Sequence, residues 1–442
     1  MSKLKIGMVS LGCSKNRVDS ELMLGALQNE YVFTGNPEEA DAIIVNTCGF
    51  IESAKQESID TILEMAEYKK TGSLKALIVC GCLAGRYQRE LSEQLPEVDA
   101  FLGVTAYDKI AEAVQKALSS QHFEAYDAPK AWGDYQNRVL TTPSYYAYVK
   151  IAEGCNNRCA YCAIPAIRGN LQSRSIADIT AEVRMLLEKG VREIILVAQD
   201  TSKYGVDFAG RSMICELLEA LAPLPGLKWL RLLYCYPDGI TDELLTTMIK
   251  YQNIVRYLDI PIQHLSDSVL ARMNRKNTNA STYAAVRKIR EKDPNFILRT
   301  TLIAGFPGET EEEFAELRRG VEELAFDRLG VFAYSREEGT AAAEMPGQVE
   351  QSLKEERAAQ LMLLQQKISL RANEARVGQS LEVLIERYLP EEEVYLGRSY
   401  GEAPEIDGSI VVRSEEALKC GTFYMVTIQQ ADEYELFGGI AK

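Results

Sequence analysis

The sequence predicts an α/β protein with three domains: a parallel-sheet domain, a partial barrel of six βα units and a small antiparallel β-barrel. Its 442 residues exceed what one hydrophobic core usually serves. Short apolar runs alternate with amphipathic stretches up to residue 118, and a longer series of the same kind starts at Tyr145. After Val377 the pattern becomes β-rich with intervening glycines. The predicted boundaries are 1–120 for the first domain, 121–142 for a linker, 143–376 for the second domain and 377–442 for the third.

The first domain is predicted from short apolar runs separated by helical stretches. Strands that alternate with helices form a parallel sheet that is buried on both faces. The predicted strands are Lys5–Ser10, Ala42–Asn46, Ala76–Val79 and Ala100–Val104. From about Ser119 to Thr142 this periodicity is lost, which predicts the linker.

The second domain is predicted from six βα units in succession. Such a series indicates a TIM-type barrel, or most of one, whose active site lies at the C-terminal ends of the strands. The predicted strands are Tyr145–Ala152, Arg192–Gln199, Trp229–Cys235, Arg256–Ile262, Phe296–Ala304 and Leu329–Tyr334. A charged stretch, Gln351–Arg376, predicts a helix that leads out of this domain.

The third domain combines β-structure with negative charge. Its five β-rich segments predict a small antiparallel barrel of the OB-like kind. Residues 377–442 contain 13 acidic and 5 basic residues, a net charge of −8, out of −15 for the whole chain. This module would therefore repel nucleic acid and attract a basic partner.

The overall composition is that of a globular protein, with 46% hydrophobic and 26% charged residues. No run of 18 apolar residues predicts a transmembrane helix, and the N-terminus lacks the features of a signal peptide. We therefore expect a cytoplasmic protein that has no membrane partner and whose ten cysteines are not paired in disulfides.

The densest group of cysteines is Cys155, Cys159 and Cys162, a C-x3-C-x2-C motif that follows the first strand of the second domain. Three thiolates at this spacing bind three irons of a [4Fe–4S] cluster and leave the fourth iron open. Zinc is the competing metal, but it usually takes four ligands, and the chain has only two histidines, His122 and His264. The motif therefore favours an iron–sulfur cluster over zinc or buried structural cysteines.

A second triplet, Cys13, Cys48 and Cys82, is widely spaced, but each cysteine follows a predicted strand of the first domain. The C-terminal ends of parallel strands meet at one edge of the sheet, where ligands bind in such folds. We therefore predict that these thiols converge and hold a second cluster. The other cysteines are interpreted as core residues: Cys80, Cys215, Cys235 and Cys420.

The C-x3-C-x2-C motif resembles the signature of the radical S-adenosylmethionine (SAM) superfamily. Seven segments spread over the chain resemble the methylthiotransferase family, whose C-terminal barrel is the TRAM domain: LGCSKNRVDSE, NTCGFIESAK, GCLAGRY, EGCNNRCAYCAIPAIRG, VAQDTSKYG, DIPIQH and GFPGET. The segment GRSYGEAPEIDG and the acidic barrel resemble the RimO type, which acts on ribosomal small-subunit protein twelve.

This resemblance implies two [4Fe–4S] clusters and SAM as cofactors. It implies methylthiolation of the β-carbon of an aspartate, in which one SAM methylates the sulfur and another supplies the radical. The partners it implies are ribosomal small-subunit protein twelve or the ribosome, and an electron donor such as flavodoxin or ferredoxin.

Several residues are candidates for SAM binding by the same resemblance. The backbone of Tyr161 is expected to contact adenine. Gln199 and Asp200 are expected to contact the methionine moiety of SAM; the alternative is that both residues only cap the end of the strand. Gly305 and Gly308 let the backbone approach SAM or simply form a tight turn. Weaker candidates for the site are Gln263, His264, Arg168 and Arg299, the two arginines as partners of a cofactor or substrate carboxylate.

Two other functions remain open. A tRNA methylthiotransferase would have the same clusters, and the charge of the C-terminal barrel disfavours it. An electron-transfer iron–sulfur protein is disfavoured because neither triplet supplies a fourth cysteine.

Overall fold

The computed structural model describes residues 3–127 and 133–441. Its N-terminal sheet is parallel, with the order β2-β1-β3-β4-β5-β6. The strands are β1 (Lys5–Ser10), β2 (Val32–Thr34), β3 (Ala42–Thr47), β4 (Ala76–Gly81), β5 (Ala100–Gly103) and β6 (Phe123–Ala125). The helices are α1 (Ser14–Leu27), α2 (Glu52–Thr71), α3 (Cys82–Tyr87), α4 (Arg89–Gln94) and α5 (Ile110–Leu118). The apolar runs of β3 and β4 are buried at every position, because helices cover both faces of the sheet.

The region predicted as a linker contributes to the packed structure. Residues 123–125 form β6, which pairs in parallel with β5 as the edge strand of the N-terminal sheet. Arg138 is buried and donates to the carbonyl oxygen of Tyr148 over 2.6 Å. The segment without helical periodicity therefore links the two domains, as predicted, but it also contains a short edge strand and residues packed in the interior. Residues 128–132 of the predicted linker lie outside the described residues.

The central sheet is also parallel, with the order β14-β13-β12-β11-β10-β7, and its two edge strands do not pair with each other, so it is an open, partial barrel in the described part of the chain. Its strands are β7 (Tyr146–Lys150), β10 (Glu193–Val197), β11 (Trp229–Leu232), β12 (Ile254–Asp259), β13 (Ile297–Ala304) and β14 (Arg328–Ala333). A separate antiparallel pair is formed by β8 (Ala152–Glu153) and β9 (Gln172–Ser173). The predicted (βα)6 architecture is confirmed.

Helices lie between these strands, and a long final helix, α14, packs against β13 and β14. They are α6 (Ile164–Arg168), α7 (Ile176–Glu188), α8 (Val206–Ala209), α9 (Ile214–Leu221), α10 (Asp242–Lys250), α11 (Asp267–Arg272), α12 (Asn279–Lys292), α13 (Glu311–Leu324) and α14 (Gln351–Glu374). Among the described residues, no helix is both long and apolar enough to cross a membrane.

The C-terminal strands close into a barrel with the order β15-β16-β17-β19-β18. They are β15 (Ser380–Leu389), β16 (Val394–Arg398), β17 (Ile410–Arg413), β18 (Phe423–Ala431) and β19 (Leu436–Ile440). The small closed barrel is confirmed, and its pairings are antiparallel except that of β17 with β19. A closed ring with an odd number of strands cannot alternate direction throughout, so one parallel pairing is required.

The C-terminal barrel docks at the N-terminal ends of the central strands. The ring of Trp229, the first residue of β11, stacks edge-on against Phe423 of β18 with centroids 4.8 Å apart. Residues 399–407, between β16 and β17, form a segment that we call the plug. Arg231 Nη1 donates to the carbonyl oxygen of Tyr400 in the plug at 2.8 Å, and the Tyr257 hydroxyl donates to Asp407 at 2.7 Å. Glu402 of the plug pairs with Arg376 at 2.7 Å and with Arg328 at 3.2 Å.

Candidate active site: two cysteine triplets

Cys155, Cys159 and Cys162 lie in the loop between β8 and α6, at the C-terminal end of the first central strand. All three are free thiols and half-buried. The amide of Asn157 donates to Cys155 Sγ at 3.5 Å, and Cys159 Sγ lies 3.3 Å from the Tyr236 hydroxyl. The triplet therefore lies in a loop at the C-terminal ends of the central strands, as the sequence predicts.

The surroundings of Cys155 and Cys162 disfavour their free thiolates. Burial raises the pKa of Cys155 to about 11 and that of Cys162 to about 12, and repulsion among the three sulfurs adds to the effect. Ligating iron requires the thiolate form, so loading a cluster here releases protons.

The structure brings Cys13, Cys48 and Cys82 together, although they are 35 and 34 residues apart in sequence. Cys13 follows β1, Cys48 follows β3 and Cys82 opens α3 directly after β4. Gly12 permits the approach of the first two loops, because a Cβ there would lie 2.8 Å from Cys48 Cβ. A Cβ on Gly49 would similarly meet the carbonyl carbon of Cys82 at 3.1 Å.

Cations surround this second triplet. Arg168 Nη2 donates to Cys82 Sγ over 3.4 Å. Cys13 is exposed at the surface; the protein around its thiol would by itself raise the pKa, but Lys15 and Arg168 hold the pKa below its usual range. Burial raises the pKa of Cys82 to about 11 and also raises that of Cys48.

A buried ion-pair network connects the two triplets. Arg168, at the end of α6, bonds Glu153 through Nη1 at 2.9 Å and Asp19 at 3.2 Å. Lys150 bonds Glu153 at 2.7 Å and also Asp19. Glu153 precedes Cys155 by two residues, Arg168 follows Cys162 by six, and Asp19 lies on α1, which begins after Cys13. The network therefore connects the loops of both triplets.

Gln199 lies beside this network, just after β10. Its Nε2 donates to Glu153 Oε1 at 2.9 Å, whereas its Oε1 is buried and has no hydrogen-bond partner among the described residues. A buried, unpaired carbonyl oxygen is costly, and a bound donor would satisfy it.

The carboxylate of Asp200 is already engaged, because it accepts from Asn157 Nδ2 at 2.7 Å and from the amide of Ser202 at 3.1 Å. Asp200 thus caps the short helix at Thr201–Lys203, which favours a capping role over a SAM contact for its side chain.

Tyr161 lies in the loop that carries Cys155, Cys159 and Cys162, and its hydroxyl accepts from Arg275 Nη1 at 3.2 Å. Gly305 and Gly308 both have φ above 70°, which favours glycine. A Cβ on Gly305 would meet Lys354 Cγ at 2.4 Å, and Gly308 donates its amide to the Gly347 carbonyl oxygen. These contacts favour the tight-turn interpretation of the two glycines.

Three family models match the chain: the uncharacterized protein family UPF0004 over residues 5–103, the Radical SAM superfamily over residues 149–320, and the TRAM domain over residues 377–440. The chain is 52% identical to the ribosomal protein uS12 methylthiotransferase RimO of Desulforamulus reducens over 441 residues, which covers 99% of each chain. It is 50% identical to the protein of the same name from Clostridioides difficile, again over 99% of each. The chain belongs to the RimO family of methylthiotransferases.

Solved structures resemble this RimO-family chain in fold. The radical SAM methyltransferase TsrM from Kitasatospora setae matches 75% of this chain and 73% of its own, with a TM-score of 0.56 and 15% identity. The cobalamin-dependent SAM radical enzyme OxsB matches 82% of this chain and 56% of its own, with a TM-score of 0.52 and 12% identity. At such identities the likeness shows the fold alone.

A radical SAM enzyme uses a [4Fe–4S] cluster and SAM, and the residues of the RimO-family chain fit both groups. Each triplet offers three thiols, the ligands that iron–sulfur clusters take. In residues 3–127 and 133–441, no three His, Cys, Asp or Glu side chains are close enough to hold a single metal ion. A four-iron cluster binds each thiolate to a different iron and so keeps its ligands further apart. The unpaired oxygen of Gln199 suits an ammonium group such as that of SAM.

Some weaker candidates are engaged elsewhere. Arg299 pairs with Asp259 at 2.8 Å, and it lies 3.6 Å from Asp407 of the plug. Arg168 pairs with carboxylates of the chain itself, so neither arginine is free for a substrate carboxylate in this structure. His264 is buried, with Nε2 3.4 Å from Glu309. Gln263, whose φ is 67°, forms an isolated bridge with Leu302 of β13.

The interpretation of the remaining cysteines is confirmed except at one position. Cys80, Cys215 and Cys235 are buried, but Cys420 is exposed. Cys420 lies in the connection from β17 to β18, none of whose residues is fully buried, and the β-rich pattern of the module did not distinguish that connection from a strand.

Sequence reasoning missed Lys150, Glu153 and Asp19. The signal was present in YVKIAEGC, where two charged residues interrupt an apolar strand just before the cysteine loop. Charged residues are rarely buried unless they are paired, so a buried strand with this pattern indicates an internal ion pair.

Proposed function

We propose that this chain methylthiolates the β-carbon of an aspartate in ribosomal protein uS12. This is the substrate that appears in the names of its relatives. The observation that carries this proposal is that two cysteine triplets lie at strand C-terminal ends of adjoining domains and are joined by buried ion pairs. One site alone would not suffice, because radical formation and sulfur insertion are different tasks.

Each triplet is assigned one [4Fe–4S] cluster. Cys155, Cys159 and Cys162 hold the first, and Cys13, Cys48 and Cys82 hold the second. When bound, the first cluster and SAM supply the radical that removes a hydrogen atom, and the second cluster carries the sulfur. The chain positions both groups and excludes water.

Gln199 is proposed to orient SAM through Oε1, which accepts from the methionine ammonium group. Its Nε2 is held by Glu153, so the amide orientation is fixed before SAM binds. The proposal keeps Tyr161 as a backbone contact to adenine. It keeps Asp200, Gly305 and Gly308 as residues that shape the SAM-binding loops, since their own contacts are structural.

The charge of the C-terminal barrel supports a protein substrate, although less of it is free than the sum of −8 indicates. Four acidic residues pair with cations outside residues 377–442: Glu382 with Lys228, Glu402 with Arg328 and Arg376, Glu405 with Arg17, and Asp407 with Arg299. We call five other exposed residues, Glu391, Glu392, Glu393, Glu415 and Glu416, the acidic patch. Among the described residues none of them has an ion-pair partner.

Strand pairing brings the two parts of the acidic patch near each other. Tyr395 of β16 pairs with Val412 of β17, which puts the turn before β16 next to the residues after β17. A basic ribosomal protein is attracted to such a surface and tRNA is repelled. The barrel docks at the N-terminal ends of the central strands, whereas the cysteines lie at their C-terminal ends. A substrate held by the barrel must therefore extend along at least the length of one strand. Five residues of β10 correspond to roughly 17 Å.

The decisive experiment offers uS12 and bulk tRNA together to the anaerobically reconstituted chain, with SAM, sulfide and a reductant. Mass spectrometry should find the methylthio group on uS12 only. Methylthiolation of the tRNA with none on the protein would instead favour the tRNA-modifying alternative. Comparing isolated uS12 with intact ribosomes, and flavodoxin with ferredoxin, identifies the cytoplasmic partners that this proposal requires.

A second experiment tests Gln199. Gln199→Ala should weaken SAM binding by about ten- to a hundredfold, since a hydrogen bond to a charged group contributes about 1.5–3 kcal/mol. Iron content should not change. Gln365→Ala is the matched control, because Gln365 is also buried with an unpaired Oε1 among the described residues but lies on α14. Equal SAM affinity in the two variants would return Gln199 to a structural role.

A further inference from the structure

We infer that Arg168 is a positioning residue that sets the reduction potential of the N-terminal cluster: its fixed positive charge and N–H group, held against Cys82, stabilise the reduced form. This inference rests on the proposal that Cys13, Cys48 and Cys82 hold a cluster. It concerns a residue supplied by the central domain to a site built by the N-terminal domain.

The geometry fixes the guanidinium on every side. Nη2 donates to Cys82 Sγ at 3.4 Å and to Asn16 Oδ1 at 2.7 Å, and Nη1 donates to Glu153 at 2.9 Å. Asn16 is itself held, because its Nδ2 donates to the carbonyl oxygens of Leu11 at 3.0 Å and Thr47 at 2.8 Å. The side chain of Arg168 is 1% exposed, so its charge is little screened by water.

Arg168 does more than pair with the carboxylates of the network. Lys150 contacts both Asp19 and Glu153 and is completely buried. The two cations balance the two carboxylates, and Arg168 reaches beyond them to the sulfur. A planar guanidinium offers five N–H donors in a fixed fork, so Arg168 can bond both carboxylates and a thiolate at the same time.

The central triplet has no equivalent donor. Among the described residues, no lysine or arginine donates a hydrogen bond to the sulfur of Cys155, Cys159 or Cys162. The nearest arrangement is indirect, since Arg275 lies 4.0 Å above the Tyr236 ring and bonds the Tyr161 hydroxyl. Loss of Arg168 should therefore affect one cluster only.

One-electron reduction makes a cluster more negative, and hydrogen bonds to its sulfurs are among the factors that set its potential. A cation and N–H donor at the ligand sulfur favours the reduced form. Replacing Arg168 by a neutral residue should shift the midpoint potential of the N-terminal cluster to more negative values.

The test uses the full-length chain with Cys155, Cys159 and Cys162 replaced by alanine, reconstituted anaerobically with iron and sulfide. Iron analysis comes first. Reductive titration with dithionite, followed by electron paramagnetic resonance, then gives the midpoint potential for Arg168 and for the variants Arg168→Met, Arg168→Gln and Arg168→Lys. We expect a negative shift in the first two variants and a return towards the original potential in the third.

Arg231→Met is the matched control. Arg231 is also buried and paired, with Glu193 at 2.7 Å, but it lies against the plug at the other end of the sheet. Its replacement should leave the potential unchanged although it removes a comparable ion pair.

An unchanged potential in folded Arg168→Met overturns the inference, and so does a shift of the same size in the Arg231→Met control. If Arg168→Met does not fold, Arg168→Gln decides in the same way, since it keeps an amide donor for the carboxylates but no charge. If the parent chain binds no iron at Cys13, Cys48 and Cys82, the two-cluster proposal itself is wrong and the inference falls with it.

Discussion

The two ends of the central sheet differ in what their polar side chains contact. At the N-terminal ends of the strands, Glu193 pairs with Arg398 at 2.8 Å, and Glu402 of the plug pairs with Arg376 at 2.7 Å, all deeply buried. At the C-terminal ends, the cysteine thiols are half-buried and Gln199 Oε1 is unpaired among the described residues. The first end is covered by the C-terminal barrel, whereas the second carries the thiols and the amide oxygen to which we assign the proposed cofactors.

The largest expected effect comes from removing the thiols at the C-terminal end. The reconstituted chain should bind about eight irons, four in each cluster. Alanine at Cys155, Cys159 and Cys162 should halve this number and abolish SAM cleavage. Alanine at Cys13, Cys48 and Cys82 should also halve it but preserve cleavage to 5′-deoxyadenosine, while methylthiolation is lost.

Cys80→Ala is the control for these triple variants. Cys80 lies in β4 only two residues from Cys82, yet it is buried in the core. Its replacement should leave the iron content unchanged. Full iron content in the Cys13, Cys48 and Cys82 variant would refute the second cluster.

At the other end, Glu402→Gln should destabilise the fold without affecting iron binding. The side chain of Glu402 is 2% exposed and bonds two arginines, Arg328 and Arg376. Removing one charge from a buried ion pair typically costs about 3–5 kcal/mol, because the partner remains buried and uncompensated. Urea unfolding measures the loss.

Glu391→Gln is the exposed control within the same barrel and should change the free energy of unfolding by less than about 0.5 kcal/mol. If both variants were equally stable, the plug would not anchor the barrel, and the contrast between the two ends would disappear.

The same carboxylate predicts a pH dependence. Burial alone would raise the pKa of Glu402, but Arg376 and Arg328 lower it to about 2 from its ordinary 4.5. A carboxyl with a depressed pKa in the folded state stabilises the fold above the ordinary value and ceases to do so as pH falls through the folded value. The stability difference between the iron-free parent and Glu402→Gln should therefore be constant above about pH 5 and shrink towards pH 2. A difference that stays constant over this range would contradict the assignment.

Much of the site was predictable because parallel strands bring their C-terminal ends together whatever their sequence separation. That rule is sufficient to place Cys13, Cys48 and Cys82 at one edge. Ion pairs between domains follow no such rule, since nothing in the sequence indicates that Arg17 meets Glu405 or that Arg299 approaches Asp407. For that reason the net charge of residues 377–442 overstated the free negative surface, and the role of Arg168 as a bridge between the triplets was not foreseen.

The smallest expected effect concerns the acidic patch, which is exposed and therefore screened by salt. Replacing Glu391, Glu392 and Glu393 by lysine should weaken the binding of uS12 several-fold at low salt and much less at high salt, with SAM cleavage unchanged. The matched control makes the same change in charge at exposed positions of the central domain: Glu322→Lys, Glu355→Lys and Glu356→Lys. Because the pairing of β16 with β17 brings the two parts of the patch near each other, its reversal should reduce affinity more than the control does. Equal affinities for uS12 in the two variants, measured over a salt series, would mean that only net charge matters and that the patch is not the docking surface.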